Sequence, residues 1–195
     1  MTTRIILASA SQRRSRILRR AGVAHKVVIS DSVEIIDSKK GPEFSVLYNA
    51  AVKARKVAQN LEDGFVIGAD TLVVLGKSMI GKPKSQREAR SLMRRFSGRT
   101  ILVYTGICVV DVKRNKLVKG VDISKIKVKK LSKAEQDRFV EISQPYDKAG
   151  GFSIEGPGMF IFDKIEGSFY NILGFSMVKL NELFKKLGVN LLEVC

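Results

Sequence analysis

In the segment Phe65-Val-Ile-Gly-Ala-Asp-Thr-Leu-Val-Val-Leu75 one carboxylate, Asp70, interrupts an otherwise apolar run. Burying it without a partner would cost several kcal/mol. Asp70 is therefore expected at a strand end facing a cleft, or beside a cation or hydrogen-bond donor. Capping a turn through its own backbone is the plainer alternative, but apolar residues continue past it. A carboxylate so placed can orient or deprotonate a water, or ligate a metal ion. Glu34, in Asp31-Ser-Val-Glu34, reads alone as a loop-surface acid. Paired with Asp70 it would supply hard oxygens for Mg²⁺, which keeps several waters and also binds phosphate oxygens.

A second cluster lies in ILASASQRRSRILRRAG, Ile6 to Gly22. Ser9, Ser11, Arg13 and Arg14 fall where a short strand gives way to a helix. Backbone N–H groups at a helix start point outward and favour anions, and hydroxyls with guanidinium forks match phosphate oxygens. Local spacing equally allows a capped helix with ordinary solvated arginines. Arg16, Arg19 and Arg20 are expected to face water. Lys82, in Gly81-Lys82-Pro83, could reach back toward the Asp70 cleft, although a surface turn explains that tripeptide on its own. Gly76-Lys77-Ser78 is not a Walker loop, because Thr71 stands where the leading glycine is required. The only histidine, His25, reads as a satisfied or solvated loop residue, and no Cys or His spacing fits zinc.

Elements must position these groups. Ile5–Leu7 and Val27–Ile29 read as strands, with a helix between them capped by Ser11, carrying Ile17, Leu18 and Ala21, and closed by Gly22. After Lys40-Gly41-Pro42 comes a long helix. Its apolar positions Leu47, Ala50, Ala51, Ala54, Val57 and Ala58 leave Lys53, Arg55 and Lys56 for other faces. The Asp70 strand is followed by capping boxes at Ser85–Glu88 and Ser132–Glu135, with the strand Ile101–Val110 between them. The basic stretch 113–130 alternates apolar and polar residues with a phase change near Ser124 and Lys125. It is expected to be a half-buried, bulged strand with lysines on its wet face. A strand over Met159–Phe162 and a helix over Phe175–Leu187 complete the pattern. This alternation predicts one α/β domain over residues 1–195, an elongated mixed sheet with flanking helices and two lobes around a cleft.

The 195 residues are 45% apolar, which suits a globular core. No apolar run reaches the roughly 20 residues that span a bilayer, and the opening MTTRIILASAS does not read as a secretory signal. Two cysteines, Cys108 and Cys195, make no disulfide framework, so a cytoplasmic location and no membrane partner are expected. The formal net charge of +16 attracts polyanions and small anions alike. Nucleic-acid binding without catalysis is the competing reading. Against it, aromatics are not interleaved with the basic residues as stacking platforms would require.

In order and spacing, LASASQRR, GADT, GKP, LMRRFSGR, YDKAGGFSIEGPG and NILGFSM resemble the Maf proteins, the septum-formation-inhibitor family of nucleoside triphosphate pyrophosphatases. The match covers nearly the whole chain. The resemblance implies a fold shared with inosine-triphosphate pyrophosphatases, often dimeric, and hydrolysis of a nucleoside triphosphate to monophosphate and pyrophosphate with Mg²⁺ or Mn²⁺. It places Ser9, Arg13, Arg14, Glu34, Lys53, Asp70, Thr71, Lys82 and Glu155 on functional positions, with Asp70 as proton acceptor. Under that implication Ser9, Arg13, Arg14, Lys53 and Lys82 hold phosphates, with Ser11 added from the local reading of the helix mouth, and Glu34 and Asp70 hold the metal. Arg13, Thr71 and Glu155 select the base. There are two departures. Val33 stands where many members carry a further acid, and Glu155 matches members acting on 7-methyl-GTP. Arg13 and Thr71 match those acting on dTTP and UTP, so the base stays open. A member that has lost activity and acts through partners in division is the remaining alternative.

Overall fold

The computed structural model describes residues 3–144 and 146–194. Its spine is a mixed sheet built from β1 (Ile5–Leu7), β2 (Lys26–Val27), β3 (Phe65–Leu75), β4 (Ser78–Ile80), β5 (Thr100–Asp111), β6 (Lys116–Val128) and β7 (Phe162–Glu166). The spatial order is β2-β1-β3-β5-β6-β7, with β4 folded back on β3. β1 runs parallel to β2 and β3, and every later pairing is antiparallel. β1, 3 residues long, ends early, so the chain leaves the sheet into α1 (Gln12–Arg20) beside the middle of β3.

Alternation along β3 sorts its side chains onto two faces. Ile67, Ala69, Val73 and Leu75 enter the larger core, shared with α1, α3 (Gln86–Phe96), α4 (Lys133–Ser143) and α6 (Met177–Lys186). Val66 enters a smaller core under α2 (Gly41–Ala58), with Ala50, Ala54 and Cys108. Two glycines set the closeness of that second contact. A Cβ on Gly68 would lie 2.1 Å from the carbonyl oxygen of Ala50, and one on Gly106 would lie 2.6 Å from the carbonyl of Val46. Only a hydrogen at those positions lets the helix backbone rest on the strands.

Several expected elements shift. The Ser132 capping box forms in full. Ser85 caps Glu88, whereas Glu88 returns its carboxylate to the Lys84 N–H, so that box is half made. Ser11 is the N-cap of α1 by position, but its side chain makes no cap bond; its N–H donates to Ser9 Oγ instead. The second strand is only Lys26–Val27. β6 runs against β5 in unbroken register through Ser124 and Lys125. Ser124, Ile126 and Val128 are buried on one face and Ile123 is half exposed on the other, so the apparent phase change reflects two apolar faces. The irregularity lies at Lys127/Val128, toward β7. Gly156–Phe160 is a 3₁₀ turn rather than strand, and β7 starts at Phe162. There Gly158 sits so tightly under Ser153 that a Cβ would meet its carbonyl oxygen at 1.6 Å. The last long helix begins at Met177, capped by Ser176, after a short helix α5 (Phe169–Ile172). Cys108 is buried and free, and Cys195 lies outside the described residues. Among the described residues no helix is long and apolar enough to cross a membrane.

Candidate active site

Asp70 is buried on the face of β3 that looks at α2, and its cross-strand partner is Gly106. The glycine contacts that draw α2 onto the sheet also bring two polar side chains of that helix to the carboxylate. Lys53 Nζ donates to Asp70 Oδ1 at 2.9 Å and Asn49 Nδ2 to Oδ2 at 2.8 Å. Lys53 Nζ also lies 2.6 Å from Glu34 Oε1, so one ammonium bridges both acids. Lys53, which the apolar spacing left for a face that Arg55 and Lys56 need not share, turns inward. It is buried against the strand, while Arg55 and Lys56 are exposed. Partial burial pushes the Glu34 carboxyl up, but the Lys53 hydrogen bond and charge, with Lys82 and Arg14, outweigh it and hold Glu34 below the usual range.

Thr71, the next residue, points to the opposite face, where Arg14 arrives from α1. Arg14 Nε donates to the Gly174 carbonyl at 2.9 Å, Nη1 to the Ala69 carbonyl at 2.8 Å and to Ser9 Oγ at 3.3 Å, and Nη2 to Thr71 Oγ1 at 3.2 Å. A guanidinium has five N–H donors, so most of Arg14's are committed to the wall. Desolvation lowers its pKa, against the attraction of Asp70 and Glu34, and an arginine keeps its charge regardless. Thr71 Oγ1 also meets Thr105 Oγ1 at 3.1 Å, and Thr105 donates to the Asn171 carbonyl at 3.0 Å. The chain's last third is thus tied to α1 through this file of hydroxyls. Ser9 Oγ accepts from the Ser11 N–H, leaving its own hydroxyl hydrogen to donate.

These groups share one cavity of about 950 Å³. Ser9, Ser11, Arg13 and Arg14 line the α1 side, and Glu34, Lys53 and Asp70 the α2 side. Thr71, Lys82 and Glu155 also line it, so the residues expected to bind phosphate, hold the metal or select the base are brought together. Arg13 is less engaged than Arg14: among the described residues its ion-pair partner is Asp147, at 3.9 Å. Lys82 is exposed. Glu155 is partly buried and also lines a smaller adjoining hollow of about 280 Å³ with Phe139, Ile142 and Pro157. His25 is satisfied by Ser15 Oγ and the Val23 carbonyl, at 2.8 and 2.9 Å. Arg16, Arg19 and Arg20 are exposed as expected.

Glu34 and Asp70 offer hard oxygens to the same space, and their chemistry fits a divalent ion that takes its other oxygens from water and a polyphosphate. Among the described residues no group of three or more His, Cys, Asp or Glu could hold a metal. Such an ion would depend on the bound substrate for part of its shell. Asn49, Asp147 and Gly174 went unrecognised in the sequence. Asn49 was legible in principle, since Ser45, Asn49 and Lys53 recur every four residues and make a polar stripe on one helical face.

A family model described as Maf-like protein matches residues 4–187. The dTTP/UTP pyrophosphatase of Dictyoglomus thermophilum is 40% identical over 194 residues, covering 98% of this chain and 100% of its own. That of Thermoanaerobacter sp. is 39% identical over 184 residues, covering 94% and 96%. That of Clostridium botulinum strain Okra is 36% identical over 191 residues, covering 96% and 98%. Among solved structures, a HAM1 protein from Coxiella burnetii aligns with a TM-score of 0.48 at 15% identity, over 65% of this chain and 73% of that one.

Proposed function

The chain belongs to the Maf-like protein family, and from that premise we propose that it is a nucleoside triphosphate pyrophosphatase acting on dTTP and UTP. The observation that carries the reading is the buried Asp70–Lys53 pair, joined at its open side by the exposed Glu34, which shares a cavity with the N-terminal end of α1. Full-length relatives named dTTP/UTP pyrophosphatase supply the substrate class.

The triphosphate lies along the α1 mouth. Ser9 donates its hydroxyl hydrogen, Ser11 lines the approach, and Arg13 and Lys82 contribute mobile charge. Arg14, held rigidly, contributes chiefly its field and a remaining N–H. Phosphoryl transfer needs mostly positioning and charge stabilisation, so this shell is adequate machinery. Mg²⁺ or Mn²⁺ held by Glu34 and Asp70 would neutralise charge on the phosphate oxygens. Asp70 accepts the proton of a water as that water's oxygen bonds to the α-phosphorus. The bond from the α-phosphorus to the bridging oxygen breaks, pyrophosphate leaves, and the monophosphate remains. Among the described residues each Asp70 oxygen accepts one hydrogen bond, leaving a lone pair on each for this task.

The base is placed toward the smaller hollow beside Glu155, whose wall of Phe139, Ile142 and Pro157 suits a flat ring. Glu155 itself favours the alternative substrate, 7-methyl-GTP: an ionised carboxylate accepts hydrogen bonds but donates none, which suits a donor-rich or cationic base. A panel of nucleoside triphosphates assayed for pyrophosphate release, with and without Mg²⁺, separates the two. Metal-dependent release from dTTP and UTP is expected, abolished in Asp70→Asn. Preferential turnover of 7-methyl-GTP would overturn the pyrimidine assignment, and full activity in Asp70→Asn would remove that residue from the mechanism. Glu155→Gln is expected to raise the preference for UTP. A cytoplasmic homodimer belongs to the same proposal and is tested by sedimentation.

A further inference from the structure

α2 presents Ser45, Asn49 and Lys53 along one line, all buried, at 0%, 2% and 7% exposure. Lys53 belongs to the site already described. The other two hold the segment that carries Glu34. Ser45 Oγ accepts the Asp37 N–H at 3.0 Å. Asn49 takes both backbone groups of Ile35: its Oδ1 accepts the Ile35 N–H at 2.9 Å and its Nδ2 donates to the Ile35 carbonyl at 2.9 Å. The second hydrogen of the same Nδ2 goes to Asp70 Oδ2. One carboxamide thereby fastens the residue next to Glu34 and, at 2.8 Å, the Asp70 oxygen that Lys53 does not take. Residues 28–37 form no helix and no strand, so little else in the local backbone fixes where Glu34 stands.

We propose that Asn49 is a positioning residue that sets the separation of Glu34 and Asp70, and with it the spacing of the two carboxylates at the reacting phosphate. It acts through Asp70, whose Oδ2 it holds, and through the Ile35 backbone beside Glu34. A side chain that only filled space would need no polar atoms here, yet Asn49 uses both amide hydrogens and its oxygen. Groups that orient active carboxylates from behind cost on the order of 10- to 100-fold in metal affinity or activity when removed. The inference rests on the proposed pyrophosphatase reading, so its test carries one readout that needs no turnover.

Asn49→Leu keeps the volume and removes all three hydrogen bonds. Asn49→Asp keeps an acceptor for the Ile35 N–H but loses both donors. Thermal melts first establish that each variant is folded. Amide hydrogen exchange is then followed at Ile35 in the metal-free protein, and kcat and KM for UTP are measured with Mg²⁺. In Asn49→Leu, Ile35 exchange is expected to accelerate, and kcat to fall on the order of 10- to 100-fold with KM changed much less. In Asn49→Asp, Ile35 protection is expected to stay near that of the parent while kcat still falls. Unchanged exchange in Asn49→Leu would overturn the tether itself. Accelerated exchange with unchanged kcat would overturn its link to the chemistry. A parent protein with no turnover of any triphosphate would instead refute the pyrophosphatase reading, leaving the exchange result to decide the tether.

Discussion

Lys53 carries two carboxylates on one ammonium, and its own side chain and that of Asp70 are only 9% and 8% exposed. An ion pair that dry contributes little compared with an apolar packing, but breaking it strands a charge. Lys53→Met is therefore expected to destabilise the fold by about 3 kcal/mol, the lower end of the usual range because Asn49 still holds one Asp70 oxygen. A urea unfolding series reads this, and a loss below a few tenths would show that water reaches Asp70 freely. Glu34 adds a pH dependence. Its folded pKa lies below the ordinary value, so its contribution is present above the ordinary glutamate range and is lost as pH falls through the depressed value. The stability gap between the parent protein and Glu34→Gln is expected to be flat above roughly pH 5 and to shrink below it. A gap that widens on acidification would contradict the ion pair. Burial pushes the Cys108 thiol up to about 12, so a thiol reagent at pH 8 is expected to leave Cys108 unlabelled until the protein is unfolded, as peptide mass spectrometry would show.

The pairing of α2 with β3 and β5 is where local sequence becomes site geometry. Gly68 and Gly106 admit the helix backbone, and the helix then delivers Asn49 and Lys53 to Asp70. Gly68→Ala is expected to cost about 3 kcal/mol by overpacking and to abolish activity, because the helix must rise off the strand to clear a contact with the Ala50 carbonyl. Near-parental stability and turnover together would show that the close approach is dispensable. Much of this scale was legible in the sequence: Asp70 in an apolar run announced a buried partner, Ser132 announced a helix start, and Gly22 a helix end at φ 77°. What stayed hidden depended on distant backbone. Apolar spacing alone sets Lys53 off the apolar face of α2 and does not show that this polar stripe faces inward, where a carboxylate waits. Met159 and Phe160, expected as the start of a strand, belong to the 3₁₀ turn Gly156–Phe160 instead, and the packing of Gly158 under Ser153 beside them is a contact no local pattern encodes. The engagement of Thr71 by Arg14 joins residues that alternation sends to the face opposite Asp70, and only the folded sheet brings both faces to one cavity.

Across the molecule, a net charge of +16 surrounds a cavity whose two acids, the buried Asp70 and the exposed Glu34, are already offset by Lys53. Such a field draws anionic substrates inward, and salt screens it. The kcat/KM for UTP is therefore expected to fall with ionic strength while kcat changes little; a kcat/KM indifferent to salt would mean that the charge serves something other than substrate capture. The lysines of β6 fit a solvated face, since they alternate with the buried Ser124, Ile126 and Val128. The central claim is that water is delivered to the α-phosphorus beside Asp70, and hydrolysis of UTP in ¹⁸O-water tests it most directly. The label is expected in UMP alone, with one unlabelled pyrophosphate released per UMP. Label in the pyrophosphate, or release of UDP and inorganic phosphate, would contradict it.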